Sequence, residues 1–172
     1  MIKLDTGTEL PESFVFTKEF KEIFEIINNT NSNLFITGKA GSGKSTLLEY
    51  FRQNTEKNYA ILAFQGIAAL KAKGQTIHSF FKFPPHFISE DDVDTLKDKE
   101  TIQKLDTILI DEISMVRADL FDAIDISLKK NRNNNQPFGG VQIVLFGDVM
   151  QIDPIVGKDD KVMDQFYPKG PF

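Results

Sequence analysis

Three groups of residues in this chain could do chemistry together. The first is Gly38-Lys39-Ala40-Gly41-Ser42-Gly43-Lys44-Ser45-Thr46, with the spacing G-x-x-x-x-G-K-[ST]. Gly38, Gly41 and Gly43 let the backbone turn tightly and bring several N–H groups toward one point. A helix starting near Lys44 adds the partial positive charge of its N-terminus. Lys44 can reach the β- and γ-phosphates of a nucleotide as a point charge, and Ser45 can place a hydroxyl on Mg²⁺. A flexible glycine turn could share this composition. The apolar run Leu34-Phe35-Ile36-Thr37 before it and Leu47-Leu48-Glu49-Tyr50-Phe51 after it favour strand, phosphate loop and helix.

The second group is Asp111-Glu112, directly after the apolar Thr107-Ile108-Leu109-Ile110. Asp111 is placed to hold Mg²⁺, directly or through water, and Glu112 to polarise an attacking water as general base. The third is Gly147-Asp148-Val149-Met150-Gln151, closing another apolar run. Gln151 could touch the γ-phosphate or its water, and Asp148 could orient the Mg²⁺ shell or Lys44. A plain acidic turn and a plain Gly-Asp turn are the simpler readings of the two. Their pairing with Lys44 and Ser45 favours catalysis. His78 and His86 are the only histidines, and no carboxylate spacing completes a metal site around them. Ser79 beside His78 has no third partner for a triad.

These groups need a scaffold. Phe20, Ile23, Phe24 and Ile27 recur at helical spacing after Thr17, which predicts a capped amphipathic helix from Lys18. Strands are expected at 34–37, 59–64, 107–110 and 141–146, and a helix at 44–53. Residues 65–71 turn into a short helix, and Thr76 can cap a turn beginning at Ile77. Pro84-Pro85 opens a polar excursion through Ser89-Glu90-Asp91-Asp92, read as a solvated loop. A short helix ends near Leu105. A longer one runs from Ala118 to Lys130 with Leu120, Phe121, Ile124 and Leu128 on one face, followed by a polar linker over 131–136. Strands alternating with helices predict one α/β domain over 1–172, mainly a parallel sheet with helices on both faces and functional loops at the C-terminal strand ends.

With 172 residues, 41% of them hydrophobic and 26% charged, the chain suits one globular domain with its own core. The absence of Cys removes disulfides, thiolate metal sites and a Cys nucleophile. Met1-Ile2-Lys3-Leu4-Asp5 lacks the pattern of a signal peptide, and no apolar run approaches a bilayer span, so no membrane and a cytoplasmic setting are expected. A net charge of −5 argues against holding nucleic acid by bulk charge alone. Lys71, Lys73 and Lys82 could still line a local basic groove, or simply a solvated face.

The phosphate loop, Gly66-Ile67-Ala68-Ala69, Gly74-Gln75-Thr76-Ile77-His78-Ser79-Phe80-Phe81, Ile110-Asp111-Glu112-Ile113-Ser114-Met115-Val116, and Phe138-Gly139-Gly140 leading to Gly147-Asp148-Val149-Met150-Gln151 form an ordered set. The set resembles the first motor domain of the Pif-type, RecD-like superfamily 1 DNA helicases, over roughly residues 16 to 157. The Thr-Ile-His-Ser-Phe-Phe run and the Phe-Gly-Gly lead-in are more specific than the phosphate loop. The resemblance implies a RecA-like P-loop NTPase domain that binds ATP and Mg²⁺ and couples hydrolysis to movement along single-stranded DNA, generally from five-prime to three-prime. It gives Gly38 to Thr46 the phosphates, Ser45 and Asp111 the metal, Glu112 the water and Gln151 the γ-phosphate. Phe64, Gln65, Gly66, Thr76, His78 and Ser79 would lie toward the DNA strand.

The chain departs from the family in four places. Ala63-Phe64-Gln65-Gly66 stands where the family usually has Ala-Pro-Thr-Gly, so Gln65 replaces the Thr that meets a DNA phosphate. Gln151-Ile152-Asp153-Pro154 stands for Gln-Leu-Pro-Pro. Glu19-Phe20 lies where the family commonly carries a Gln for adenine. The family's second motor domain supplies arginines to the γ-phosphate, and here Arg52, Arg117 and Arg132 are the only arginines, none in a finger-like context. The chain is therefore expected to be one half of a longer motor, with its partner domain elsewhere in the same protein and slow turnover of its own. Two other readings remain open at this level: another P-loop ATPase such as an AAA+-type remodeller, and a non-catalytic nucleotide-binding module.

Overall fold

The computed structural model describes residues 16–39, 41–148 and 167. The first helix, α1 (Lys18–Asn29), starts where Thr17 Oγ1 accepts from the Phe20 N–H at 3.1 Å, the expected N-cap. Strand β1 (Leu34–Thr37) leads through the glycine loop to α2 (Lys44–Asn54). Then come β2 (Tyr59–Ala63), α3 (Gly66–Lys71), the two-residue β3 (Gln75–Thr76) and α4 (Ile77–Phe81). After the proline-bounded segment and a 3-10 turn at Glu90–Asp92 come α5 (Lys99–Lys104), β4 (Thr107–Asp111), α6 (Ala118–Arg132) and β5 (Gln142–Gly147).

All pairings are parallel, in the order β1-β5-β4-β2-β3. Parallel neighbours need crossovers, and the helices supply them on both faces. The strand residues divide by parity. Leu62, Ile108, Ile110 and Ile143 face α4, α5 and α6, packing with Ile77, Ile102, Leu120 and Ile124. Ile36, Ile61, Leu109, Val144 and Phe146 face α1 and α2, packing with Ile27, Leu47, Leu48 and Phe51. Strands buried on both sides are why these runs read as continuously apolar rather than alternating.

Two expectations change. The stretch over 131–136 is not all linker: α6 continues through Asn131 and Arg132. Asn131 is buried, donating to Ser127 O at 2.8 Å and accepting from the Leu96 N–H at 2.8 Å. Arg132 gathers carbonyls, Gly139 O at 2.8 Å, Ile102 O at 2.7 Å, and Gln103 O and Leu105 O at 3.0 Å. The acidic patch is exposed as expected, but it forms a 3-10 turn capped by Ser89 rather than an open loop. The Phe138-Gly139-Gly140 lead-in joins the same corner. Phe138 and both glycines have positive φ, and a Cβ on Gly139 would lie 2.7 Å from Leu128 O. That motif seats the entry to β5 on α6, at the end of the sheet away from the glycine loop.

Candidate active site

Strand order decides which loops meet. β5 lies between β1 and β4, with Thr37 opposite Gly147 and Ile110 opposite Leu145. Thr37, Asp111 and Gly147 are the last residues of their strands, so the glycine loop, Asp111-Glu112 and Gly147-Asp148 emerge at one end. They enclose a cavity of about 380 Å³. Gly41 through Thr46 form one side, Asp111, Glu112 and Ser114 another, and Gly147 and Asp148 a third.

The loop is built for close approach. Gly41 has φ 79° and Gly43 φ 92°, values that favour glycine. Gly43 caps α2 without a side chain, so no side-chain cap occupies the helix N-terminus, whose first residues Lys44, Ser45 and Thr46 line the cavity. A Cβ on Gly38 would sit 2.6 Å from Ser42 Oγ. Lys44 Nζ donates to Gly38 O and, at 3.0 Å, to Lys39 O, which holds the ammonium over the loop.

Asp111 is half-buried, and burial pushes its carboxyl above the usual carboxylate range. The Glu112 N–H, donating to Asp111 Oδ1 at 3.0 Å, and the Lys44 charge pull the other way. The Asp111 carboxylate and the Ser45 hydroxyl line the same cavity, and together they offer the hard oxygen donors that Mg²⁺ takes. Glu112 is exposed, and its backbone is left-handed, φ 53° and ψ 46°. A non-glycine residue held there costs about 1–2 kcal/mol, and such strain clusters at functional sites. It turns the chain sharply into the 3-10 turn Ile113–Met115, which brings Ser114 to the cavity. Ser114 belongs to the acidic motif in the sequence, but its place in the site comes from this turn.

Ala40 and Gln151, both expected at the site, lie outside the described residues, as does Asp153. None of the three arginines lines the cavity. Arg52 pairs with Glu49 at 2.9 Å, Arg117 with Asp119 at 2.7 Å, and Arg132 holds the carbonyls described above. Phe20, where the family commonly carries a Gln for adenine, packs edge-on against Phe16 and Tyr50.

The residues expected along a strand path divide. Phe64 and His78 meet edge-to-face, ring centres 5.8 Å apart, and line a recess of about 210 Å³ with Pro85, Arg117 and Leu120. Burial, then the Arg117 charge, lowers the His78 pKa from 6.5, against the pull of Asp119. Ser79 instead lines a separate recess of about 730 Å³ with Gln75 and Lys82. Thr76 accepts from the Ser79 N–H at 3.2 Å as the N-cap of α4, the role its position suggested. Gln65 and Gly66 are exposed at the start of α3. Among the described residues no group of His, Cys, Asp and Glu forms a metal cluster, and no helix is long and apolar enough to cross a membrane.

Residues 15–166 match the PIF1-like helicase family. The chain belongs to that family. Among PIF1-like proteins it is similar to the ATP-dependent DNA helicase RRM3 of Saccharomyces cerevisiae, 34% identical over 165 residues, 88% of this chain and 22% of that protein. It is similar to the ATP-dependent DNA helicase Pif1 of Psychrobacter sp., 36% identical over 148 residues, 81% of this chain and 22% of the relative. The Pif1 helicase from Bacteroides, solved in complex with ADP-AlF3 and ssDNA, matches with a TM-score of 0.85 at 39% identity, over 93% of this chain and 38% of that one. The chain thus spans about a fifth of the length of these curated PIF1-like relatives, and the shared part is the RecA-like domain with its five-stranded parallel sheet.

Proposed function

We propose that this chain is the ATP-binding motor half of a DNA helicase that couples hydrolysis to movement along single-stranded DNA and to duplex unwinding. The observation that carries this reading is the convergence of Lys44, Ser45, Asp111, Glu112 and Gly147 on one cavity. Gly38 to Thr46 bind the nucleotide's phosphates through N–H groups and the Lys44 ammonium. Ser45 and Asp111 hold Mg²⁺, which supplies charge neutralisation on the phosphates when bound. Glu112 orients the attacking water and takes its proton, and Gln151 attends the γ-phosphate. The strand lies over Phe64, His78 and the start of α3, where aromatic faces stack bases without reading sequence.

The complex of Bacteroides Pif1 with ADP-AlF3 and ssDNA supports both ligands. A second motor domain of the same protein supplies the arginines, since the three in this chain are engaged elsewhere. An arginine finger is worth ~10³–10⁵ in rate, so the chain alone turns over slowly.

The test is Mg·ATP binding and single-turnover hydrolysis, with and without single-stranded DNA, beside two variants. Lys44→Ala loses nucleotide affinity. Glu112→Gln keeps it and lowers turnover by ~10²–10⁴. Wild-type turnover in Glu112→Gln would refute the catalytic reading and favour a module that only binds nucleotide.

A further inference from the structure

Arg117 follows Glu112 by five residues and is 8% exposed. It meets Asp119, 1% exposed, with two bonds: Nε to Oδ1 at 2.9 Å and Nη2 to Oδ2 at 2.7 Å. Both residues also reach the same neighbouring segment. Arg117 Nη2 donates to His86 O at 3.1 Å, and Asp119 Oδ2 accepts from the Ile88 N–H at 3.0 Å. A planar, bidentate ion pair at the start of α6 thus grips alternate backbone groups of the segment between α4 and the Ser89 turn.

That segment has no regular ladder of its own. It contains Pro84 and Pro85, which donate no backbone hydrogen bonds, and it joins no strand. Phe83 and Ile88 bury their side chains in the core and so anchor its two ends. Between these anchors Pro85 forms part of the recess with Phe64 and His78. Replacing a buried ion pair with apolar residues of similar volume is often neutral for stability. Fold stability alone therefore does not explain this pair, whereas fixing one loop in one place does.

We infer that Arg117 and Asp119 are a positioning pair that sets the wall of the strand-side recess by pinning residues 86 and 88. The inference rests on the reading of that recess as part of the single-strand path. The pair holds the segment and leaves the nucleotide cavity alone, since neither residue lines it.

The experiment uses the full chain and the double variant Arg117→Met with Asp119→Leu, which removes both charges and keeps bulk. Because Arg117 itself lines the recess, Asp119→Asn, which keeps the Arg117 charge, is the deciding second variant: it too must weaken oligo-dT binding if the pair acts through the segment. Three quantities are read: affinity for a fluorescent ATP analogue, affinity for labelled oligo-dT, and amide exchange at Ile88. The expected result is nucleotide affinity within about twofold, Ile88 exchange faster by ~10-fold or more, and oligo-dT affinity weaker by roughly 10-fold. Faster exchange with unchanged oligo-dT affinity would overturn the inference, leaving a purely structural pair. Unchanged exchange would overturn it too. If the unmutated chain fails to bind oligo-dT while binding nucleotide, the single-strand reading itself falls, and that outcome is visible before any variant is compared.

Discussion

Gly147 offers a sharp test of how the cavity is assembled. It ends β5, and the 3-10 turn after Glu112 leans against it: a Cβ at this position would lie 2.6 Å from Ile113 Cγ2 and 3.4 Å from the Ile113 nitrogen. Carbon atoms settle at about 3.5–4.0 Å, so Gly147→Ala must open the contact by roughly 1 Å. The branched Ile113 side chain has few rotamers in which to escape, and the backbone nitrogen behind it has none. Overpacking of this kind costs about 1–3 kcal/mol. At about 2–4 °C per kcal/mol for a chain of this size, the melting temperature falls by roughly 2–12 °C. The turn follows Glu112, the proposed base, and a displacement of about 1 Å at a group in that role can cost ~10²-fold.

Gly147→Ala is therefore expected to lower single-turnover hydrolysis of Mg·ATP by about 10–100-fold. Nucleotide affinity should change by less than about threefold, because the phosphate loop hangs from β1 and not from this contact. Ile113→Leu removes the γ2 branch and should restore much of the lost rate in the double variant. Turnover within twofold of wild type in Gly147→Ala, or a double variant as slow as the single one, would refute the reasoning.

Two further expectations concern stability. The folded state holds the His78 pKa below 6.5, chiefly by burial, so the unfolded chain takes up that proton at higher pH than the folded one. His78 therefore contributes no penalty above its unfolded value, and stability is lost as pH falls below it. Melting temperature measured from about pH 7.5 to about pH 5.5 should fall less steeply in His78→Gln than in wild type; equal slopes would contradict this. Arg132→Met takes the guanidinium from the Gln103 and Leu105 carbonyls, while Gly139 O keeps the Asn134 amide and Ile102 O the Leu105 N–H. A loss of about 2–3 kcal/mol is expected, read as a melting temperature lower by roughly 5–10 °C with nucleotide affinity intact, since this corner lies at the opposite end of the sheet.

Much of the candidate nucleotide site is legible in one dimension because its first part is local. Strand, glycine loop and helix are contiguous, and the glycines, lysine and hydroxyls sit at spacings that only one backbone path uses well. Asp111-Glu112 was readable because a doubly buried strand is an uninterrupted apolar run, and an acidic pair at its end stands out. The caps at Thr17 and Thr76 were equally local, one hydroxyl and an N–H three residues on.

The fold supplied what depends on partners distant in sequence. The insertion of β5 between β1 and β4 brings Gly147 beside the loop after Thr37, and ladder bonds between segments over a hundred residues apart leave no periodic trace. Asn131 and Arg132 look like linker residues until α5 and the Gly139 corner satisfy their polar groups. Phe64 and His78 share a recess while Ser79, one residue further on, faces another, because successive residues of a helix point about 100° apart. Short-range geometry thus determined the glycine loop, the acidic strand end and the helix caps. Long-range strand pairing and the need to satisfy buried polar groups decided which loops meet, how Glu112 is turned, and what Arg117, Asp119 and Arg132 hold.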